Sequence, residues 1–397
     1  MNASRTPCLA VTLVGDITRE AGAQVKYGHL VDALRRRFEV AAVIDVTLRG
    51  LPRLLNALRV IHPDRRVWQQ RFYQNVPAFA ARSRLAAGRI AALGGQVDLI
   101  LQIGALFDSR WAEPPLPSVI YTDYTQHLSG QKPQAGRSPF TAAQRARWLE
   151  LEGRAYCRAA AVTTRSEFVR RSVIEAYGIP AGQVSVVGGG VNFAALPDLS
   201  DRPERGGQTL LFIGKEFYRK GGDVLLRAFA RVRAQAPQAR LLLVTADPLP
   251  ADLPLEGVER IEATWERARI EALYRQADLF VLPSRLETWG DVLLEAMAYG
   301  LPCVGVRGEA MQEIIEDGRT GLLVPPGDEA ALAQALARLL ADPPMRAALG
   351  RSARERVEAS FTWDRVVEQL TPVLQSATGS SGFFTKGGAP AMARKAI

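Results

Sequence analysis

Twice along this chain, short apolar runs ending at a turn residue alternate with stretches whose apolar residues recur every three or four positions. The first series opens with "LAVTLVG" (Leu9–Gly15), followed by Leu30, Leu34 and Phe38 at four-residue spacing. It continues through "EVAAVIDV", "VDLILQIG", "SVIYTD", a helical stretch around "ARWLELEGRAYCRA", and "AVTTRS", and closes with "VSVVGGGVN". The second series begins at "TLLFIG" and passes through "RLLLVT", "LFVLPS", "PCVGV" and "GLLVPP", each followed by a helical stretch. Such runs are apolar on both sides of the pleat, so both faces of the sheet must be covered. That condition is met by mostly parallel sheets with helices packed front and back. The polar, Pro- and Gly-containing segment Pro197–Gln208 separates the two series and reads as a linker. The expected architecture is therefore α/β, two doubly wound Rossmann-like domains facing each other across a cleft. Residues 1–200 form the first domain, with a basic insert at 47–90, and residues 201–360 form the second. A last helix lies within 361–375 and is expected to return to the first domain. The Gly- and Ser-rich stretch 376–397 is expected to be disordered. Open parallel sheets bind ligands beyond the carboxyl ends of their strands, where helix N-termini converge.

With 397 residues there is room for two cores, and 47% apolar and 23% charged residues are values of a soluble globular protein. No apolar run reaches the roughly 18 residues of a membrane-spanning helix. The N-terminus lacks the pattern of a signal peptide. Three widely spaced cysteines, Cys8, Cys157 and Cys303, suit a reducing compartment and offer no metal-binding spacing. A cytoplasmic location is expected. The net charge of +9 comes from 44 arginines against 6 lysines. Arg49, Arg53, Arg59, Arg65, Arg66, Arg71, Arg82, Arg84 and Arg89 share their window with a single acid, Asp64, and with Trp68, Phe72, Tyr73 and Phe79. An anionic membrane surface and a solvated helical insert both fit this segment. A nucleic-acid partner does not, because no binding module accompanies the charge.

The G-x-G-x-x-G turn of a dinucleotide enzyme is missing, since the first strand–helix turn reads "GDITREAGAQ", and no nucleoside-triphosphatase phosphate loop occurs. Positive signals lie in the second half. In "FIGKEFYRKGGDVLLRAF" a strand ends at Gly214, Lys215 and Lys220 follow, and a helix opens near Asp223. Cations beside a helix N-terminus suit a diphosphate leaving group, on which negative charge grows as its bond breaks. In "SRLETWGDVLLEAMAYGLPCV", Glu287 and Glu295 stand eight positions apart across the turn at Gly290. Val292 and Leu293, at the helix start, offer amides to phosphate oxygens. By spacing alone, Glu295 is equally well a carboxylate stabilising a helix N-terminus by ~0.3–1 kcal/mol. Glu287 is equally well a surface partner of Arg285.

These segments together resemble the retaining GT-B-fold glycosyltransferases of family 4 (glycosyl transferases group 1). The resemblance is carried by "GKEFYRKGGDVLLRAF", "ADLFVLPSRLETWGDVLLEAMAYGLPCVGV", "GEAMQEIIEDGRTGLLVPPGD", "FTWDRV" and, more weakly, "VVGGGVN". It implies that Glu295 binds the donor ribose and that Glu287 contacts the transferred sugar. It places Lys215 and Lys220 on the diphosphate, with the Val292 and Leu293 amides helping to hold phosphate and sugar. Gly214, Gly290 and Trp289 are counted with the donor-binding residues, and Gly22 matches one of two glycines that approach the diphosphate from the first domain. Asp123 falls where the family often has a histidine, with His127 four residues on. Thr288 and Trp289 depart from the usual "EGFG", which puts the identity of the donor sugar in question. The implied reaction moves a sugar from a nucleotide sugar to a carbohydrate or lipid-linked acceptor, with retention at the anomeric carbon and without a metal or other cofactor. It would serve glycan, polysaccharide or glycolipid assembly, and the basic insert adds the expectation of a peripheral position at the inner face of the membrane. A glycosidase, a nucleotide-sugar epimerase of the same fold and a catalytically silent nucleotide-sugar-binding subunit are the competing expectations.

Overall fold

The computed structural model describes residues 6–132, 140–200 and 207–379. These fall into two compact units, one of residues 6–132, 140–187 and 367–379, the other of 188–200 and 207–366. The division lies between Val187 and Gly188, ahead of the Pro197–Gln208 segment expected to separate the domains, of which 201–206 fall outside the described residues. The reason is local: the Val191 amide donates to the Phe361 carbonyl at 2.8 Å, and Val191 is buried in the second unit's core. The last helix spans Trp363–Gly379, running past the expected 361–375, and from residue 367 it belongs to the first unit. Of the expected disordered tail, 376–379 complete this helix and 380–397 lie outside the described residues.

The first unit contains six parallel strands: β1 (Leu9–Leu13), β2 (Val40–Asp45), β3 (Leu99–Ile103), β4 (Ser118–Thr122), β5 (Ala161–Thr164) and β6 (Val184–Val186). Their order is β2-β1-β3-β4-β5-β6. Every residue of β1, β3 and β4 is buried, as expected of central strands covered on both faces. The second unit contains β7 (Thr209–Ile213), β8 (Arg240–Thr245), β9 (Val258–Glu262), β10 (Leu279–Val281), β11 (Cys303–Val306) and β12 (Gly321–Val324). They too pair in parallel, in the order β12-β11-β10-β7-β8-β9. Numbered within the unit this is 6-5-4-1-2-3, the doubly wound arrangement whose winding reverses between its first and fourth strands, β7 and β10. β9, "VERIE", carries only one fully buried residue and forms the sheet edge, so it lacks the apolar run that marks the other strands.

Three helices fill the basic insert: Gly50–Arg59, Arg65–Tyr73 and Val76–Ala91. Not all of its arginines face water. Arg82 is buried and donates to the Tyr73 carbonyl at 2.8 Å, while Arg49 and Arg89 both bond to Asp45 at the end of β2. Cys8 and Cys303 are buried, and Cys157 is exposed on the Ala142–Arg158 helix.

That helix carries a buried carboxyl group, Glu152. Glu152 accepts hydrogen bonds from the hydroxyls of Tyr177 (2.5 Å) and Tyr156 (3.1 Å) and from the Gln126 amide (3.1 and 3.3 Å). Through Gln126 it holds the start of the Gln126–Gln131 helix, which carries His127. Burial pushes Glu152 up to about 7 despite these donors. Because the folded value is raised, the unfolded chain releases this proton first, and stability falls as pH climbs from about 4.5 to about 7. Glu152→Gln should make that fall shallower by about 3 kcal/mol, at about 1.4 kcal/mol per pH unit, as measured by urea denaturation across this range. An unaltered pH slope would show that Glu152 ionises normally in the folded chain.

Candidate functional site

β7 and β10 lie side by side, so the loops that leave their carboxyl ends emerge together. The β7 loop carries Lys215 and Lys220; the β10 loop carries Glu287. The two loops are laced by polar contacts. The Arg219 carbonyl accepts from the Arg285 amide (2.8 Å) and the Ser284 hydroxyl (3.3 Å), and the Arg219 guanidinium donates to the Leu286 carbonyl at 3.0 Å. Arg285 forms a two-pronged pair with Asp223 at 2.6 and 2.8 Å. These bonds hold Asp223 below the usual carboxylate range against the opposing effect of burial. Arg285 is therefore not the partner of Glu287. Glu287 instead forms an ion pair with Lys220, and only 12% of the Lys220 side chain and 10% of the Glu287 side chain are exposed.

Two glycines make this approach possible. Gly221 has φ +75°, and a Cβ there would lie 2.0 Å from the Pro283 carbonyl oxygen, so the β7 loop could not close on the β10 strand with any other residue. Gly290, at φ +135°, starts the Asp291–Ala298 helix in a conformation closed to other residues. A third loop, after β11, clamps Glu287 from behind. The Glu287 amide donates to the Glu309 carboxylate, and the Glu287 carbonyl accepts from the Ala310 amide at 3.3 Å. Glu309 holds this position at φ +52°, a left-handed conformation that costs a non-glycine residue of order 1–3 kcal/mol.

Glu295 lies one turn into the Asp291–Ala298 helix and is 4% exposed. Its carboxylate accepts from the Tyr274 hydroxyl at 3.0 Å and from the Arg267 guanidinium at 3.3 Å. Burial pushes it up to about 7, and Arg267 only partly counters this. Lys215 points elsewhere: its ammonium sits 3.5 Å above the ring of Trp265, a residue 43% exposed in the loop between β9 and the Arg267–Gln276 helix. Such a contact is worth about 0.5–2 kcal/mol.

The remaining expected residues sort by place. Gly214 ends the β7 segment beside Lys220, whose Cβ would crowd any side chain there at 2.7 Å. Leu293's amide is already bonded to the Gly290 carbonyl at 2.9 Å, so it is not available to a phosphate in this arrangement. Val292 stands in the helix's first turn, where no carbonyl lies four residues back within the helix. Thr288 is buried, and Trp289 lies beneath the loop, edge-to-face with Phe361 at 5.8 Å. Its buried indole N–H finds no acceptor among the described residues. Trp289 thus packs into the core beneath the loop that carries Glu287. In the first unit, Gly22 sits in the short helix Ala21–Ala23, and Asp123 is exposed directly after β4. His127 is half-buried, which lowers its pKa, and its Nε2 lies 2.9 Å from the Gln131 side-chain amide.

Comparison with known proteins accords with this geometry. Residues 21–195 match Glycosyltransferase Family 4, and residues 207–342 match Glycosyl transferases group 1. A D-inositol 3-phosphate glycosyltransferase of Kineococcus radiotolerans is 30% identical over 308 residues, covering 70% of this chain and 69% of that protein. The chain belongs to the family 4 glycosyltransferases. A D-inositol 3-phosphate glycosyltransferase of Thermobispora bispora is 33% identical over 230 residues, 52% of this chain and 54% of its own length. A glycogen synthase of Mycobacterium tuberculosis is 29% identical over 222 residues and is matched over 53% of its length, so the chain spans about half of each of these two relatives. Among solved structures, sucrose-phosphate synthase from Thermosynechococcus elongatus superposes with a TM-score of 0.68 at 22% identity, covering 94% of this chain and all of that one. Anabaena HepE, solved with UDP and glucose, gives 0.62 at 18% identity, covering 93% of this chain and 100% of its own. These two show the shared fold, GT-B, with its two Rossmann-like domains.

Arg267, Tyr274, Trp265 and Glu309 lie beside the expected residues but were not singled out by the sequence. Arg267 and Tyr274 sit seven positions apart on one helix, a spacing that marks a shared face. No comparable pattern marks Trp265 or Glu309. The Lys220–Glu287 pair makes a stability prediction. Removing one partner leaves the other charge largely desolvated, at a cost of about 3–5 kcal/mol, whereas an apolar pair of similar volume avoids it. Thermal midpoints should fall in the order wild type, Lys220→Met with Glu287→Leu, then either single variant. Additive losses in the double variant would show that the two charges are not coupled.

Proposed function

We propose that this glycosyltransferase transfers a sugar from a nucleotide-diphosphate sugar to the hydroxyl of a carbohydrate or lipid-linked acceptor, with retention of anomeric configuration. The observation that carries the proposal is the Lys220–Glu287 pair at the reversal point of the second sheet, with Glu295 eight residues further on. The pair sets a cation and a carboxylate side by side at the position where an open α/β sheet binds its ligand. Lys220 is assigned to the diphosphate and Glu287 to hydroxyls of the transferred sugar. The two therefore part as the donor enters, and each exchanges an internal contact for one to substrate.

Glu295 takes the ribose hydroxyls, for which a carboxylate offers acceptors on both oxygens. Burial keeps it partly protonated near neutrality, and Arg267 favours the ionised form. Lys215 leaves the Trp265 ring to join Lys220 on the leaving group. Preorganised donors of this kind contribute about 2.7–4 kcal/mol each to transition-state stabilisation. In the bond-making step the acceptor oxygen attacks the anomeric carbon on the face the diphosphate leaves. A departing phosphate oxygen takes the acceptor proton. Glu287 is not required as a nucleophile. The diphosphate's charge is assigned to the two lysines and the Val292 amide at the helix start, so transfer should be insensitive to EDTA.

A thermal-shift screen of nucleotide sugars tests the assignment. The matching donor should raise the midpoint of the wild-type protein by mass action and leave Glu295→Ala nearly unshifted. With that donor and an accepted acceptor, the product's anomeric proton coupling should match that of the donor. Equal stabilisation of Glu295→Ala, or an inverted anomeric centre, would overturn the assignment.

A further inference from the structure

Most helices of a folded domain turn their apolar stripe inward. The Gly50–Arg59 helix of the first unit does the reverse. Its one fully buried residue is Asn56, whose side-chain amide donates to the Phe72 carbonyl at 2.9 Å and whose oxygen accepts from Asn75 at 2.9 Å. The Ala57 carbonyl accepts the Trp68 indole N–H at 3.2 Å. The helix is thus fastened to the following helices by polar bonds. Its leucines point away: Leu51 is 66% exposed, Leu54 56%, Leu55 51% and Leu58 59%, and Ile61 just beyond the helix is 73% exposed. Their spacing of three, one and three residues is that of a single helical face. Among the described residues, ten large apolar side chains are exposed, and six of them lie between Leu51 and Tyr73. Scattered exposed leucines need no explanation, but a contiguous set on a helix secured by its polar side does.

Charge decides what covers this face. Arg53, Arg59, Arg65 and Arg66 are exposed in the same segment, and Asp64, the only acid of the segment, is engaged in capping the Arg65–Tyr73 helix. A second copy docked face to face would bring these arginines against their own equivalents. An anionic lipid surface brings opposite charge and an apolar layer at the depth of the leucines. We propose that this face is a membrane-docking surface, with Leu51, Leu54, Leu55, Leu58 and Ile61 entering the interface of an anionic bilayer and the arginines at its headgroups. The inference rests on this face alone and not on the transfer reaction, so the two can fail separately.

Co-sedimentation of the full chain with sucrose-loaded vesicles tests it. The wild type should bind phosphatidylcholine vesicles containing phosphatidylglycerol, and bind them less as salt rises. Leu54→Ser with Leu58→Ser, and separately Arg53→Glu with Arg59→Glu, should each weaken binding about tenfold or more. Both double variants should keep the wild-type thermal midpoint, because none of the four side chains is buried. Failure of the wild type to bind, or leucine variants that bind as tightly as wild type, would overturn the proposal. So would a leucine-dependent dimer, in sedimentation velocity, that excludes vesicles.

Discussion

The adjacency of β7 and β10 is the constraint on which the rest of the second unit depends. Strand order sets these two neighbours at the point where the sheet's winding reverses, and their loops part to serve helices. Lys220 and Glu287 meet across that point, largely out of water. Around them, Arg219 ties its own loop to the Leu286 carbonyl, Arg285 ties the second loop to Asp223, and Glu309 braces the Glu287 backbone from a third. Gly221 allows the closest approach, since any side chain there would strike the Pro283 carbonyl.

A pair held this way combines moderate internal stability with the ability to exchange partners. Neither charge can be left alone at that depth without a cost of several kcal/mol. Both can be satisfied by a ligand that offers an anion to the lysine and hydroxyls to the carboxylate. Glu295 follows a different logic: burial holds its proton near neutrality while Arg267 and Tyr274 fix its orientation. Lys215, resting on Trp265, is a cation held by an aromatic face.

Much of this was legible in the sequence. The central strands announced themselves as apolar runs because both faces of their sheets are covered, and β9 did not because a polar edge strand has no such run. Glu287, Glu295, Lys215 and Lys220 were singled out by residue type beside strand–helix turns and by resemblance. Their partners were not. Whether Glu287 bonds to Arg285 or Lys220 depends on which strands are neighbours, and nothing local to residues 284–290 encodes that β7 adjoins β10. Trp289 shows a related limit: its position in the loop is evident from sequence, but its burial against Phe361 comes from a residue over 70 positions away. The basic insert was visible as charge. The outward leucines of Gly50–Arg59 became meaningful only once Asn56 was seen to face inward.

The central claim is that Lys220 leaves Glu287 to bind the donor's diphosphate. Titration calorimetry of the nucleoside diphosphate whose sugar stabilises the wild type, into wild type and Lys220→Ala, tests this most directly. Loss of a charge-assisted, desolvated contact should weaken binding about a hundredfold. Equal affinity in the two proteins would place the diphosphate elsewhere and contradict the assignment of the site to the reversal point of the second sheet.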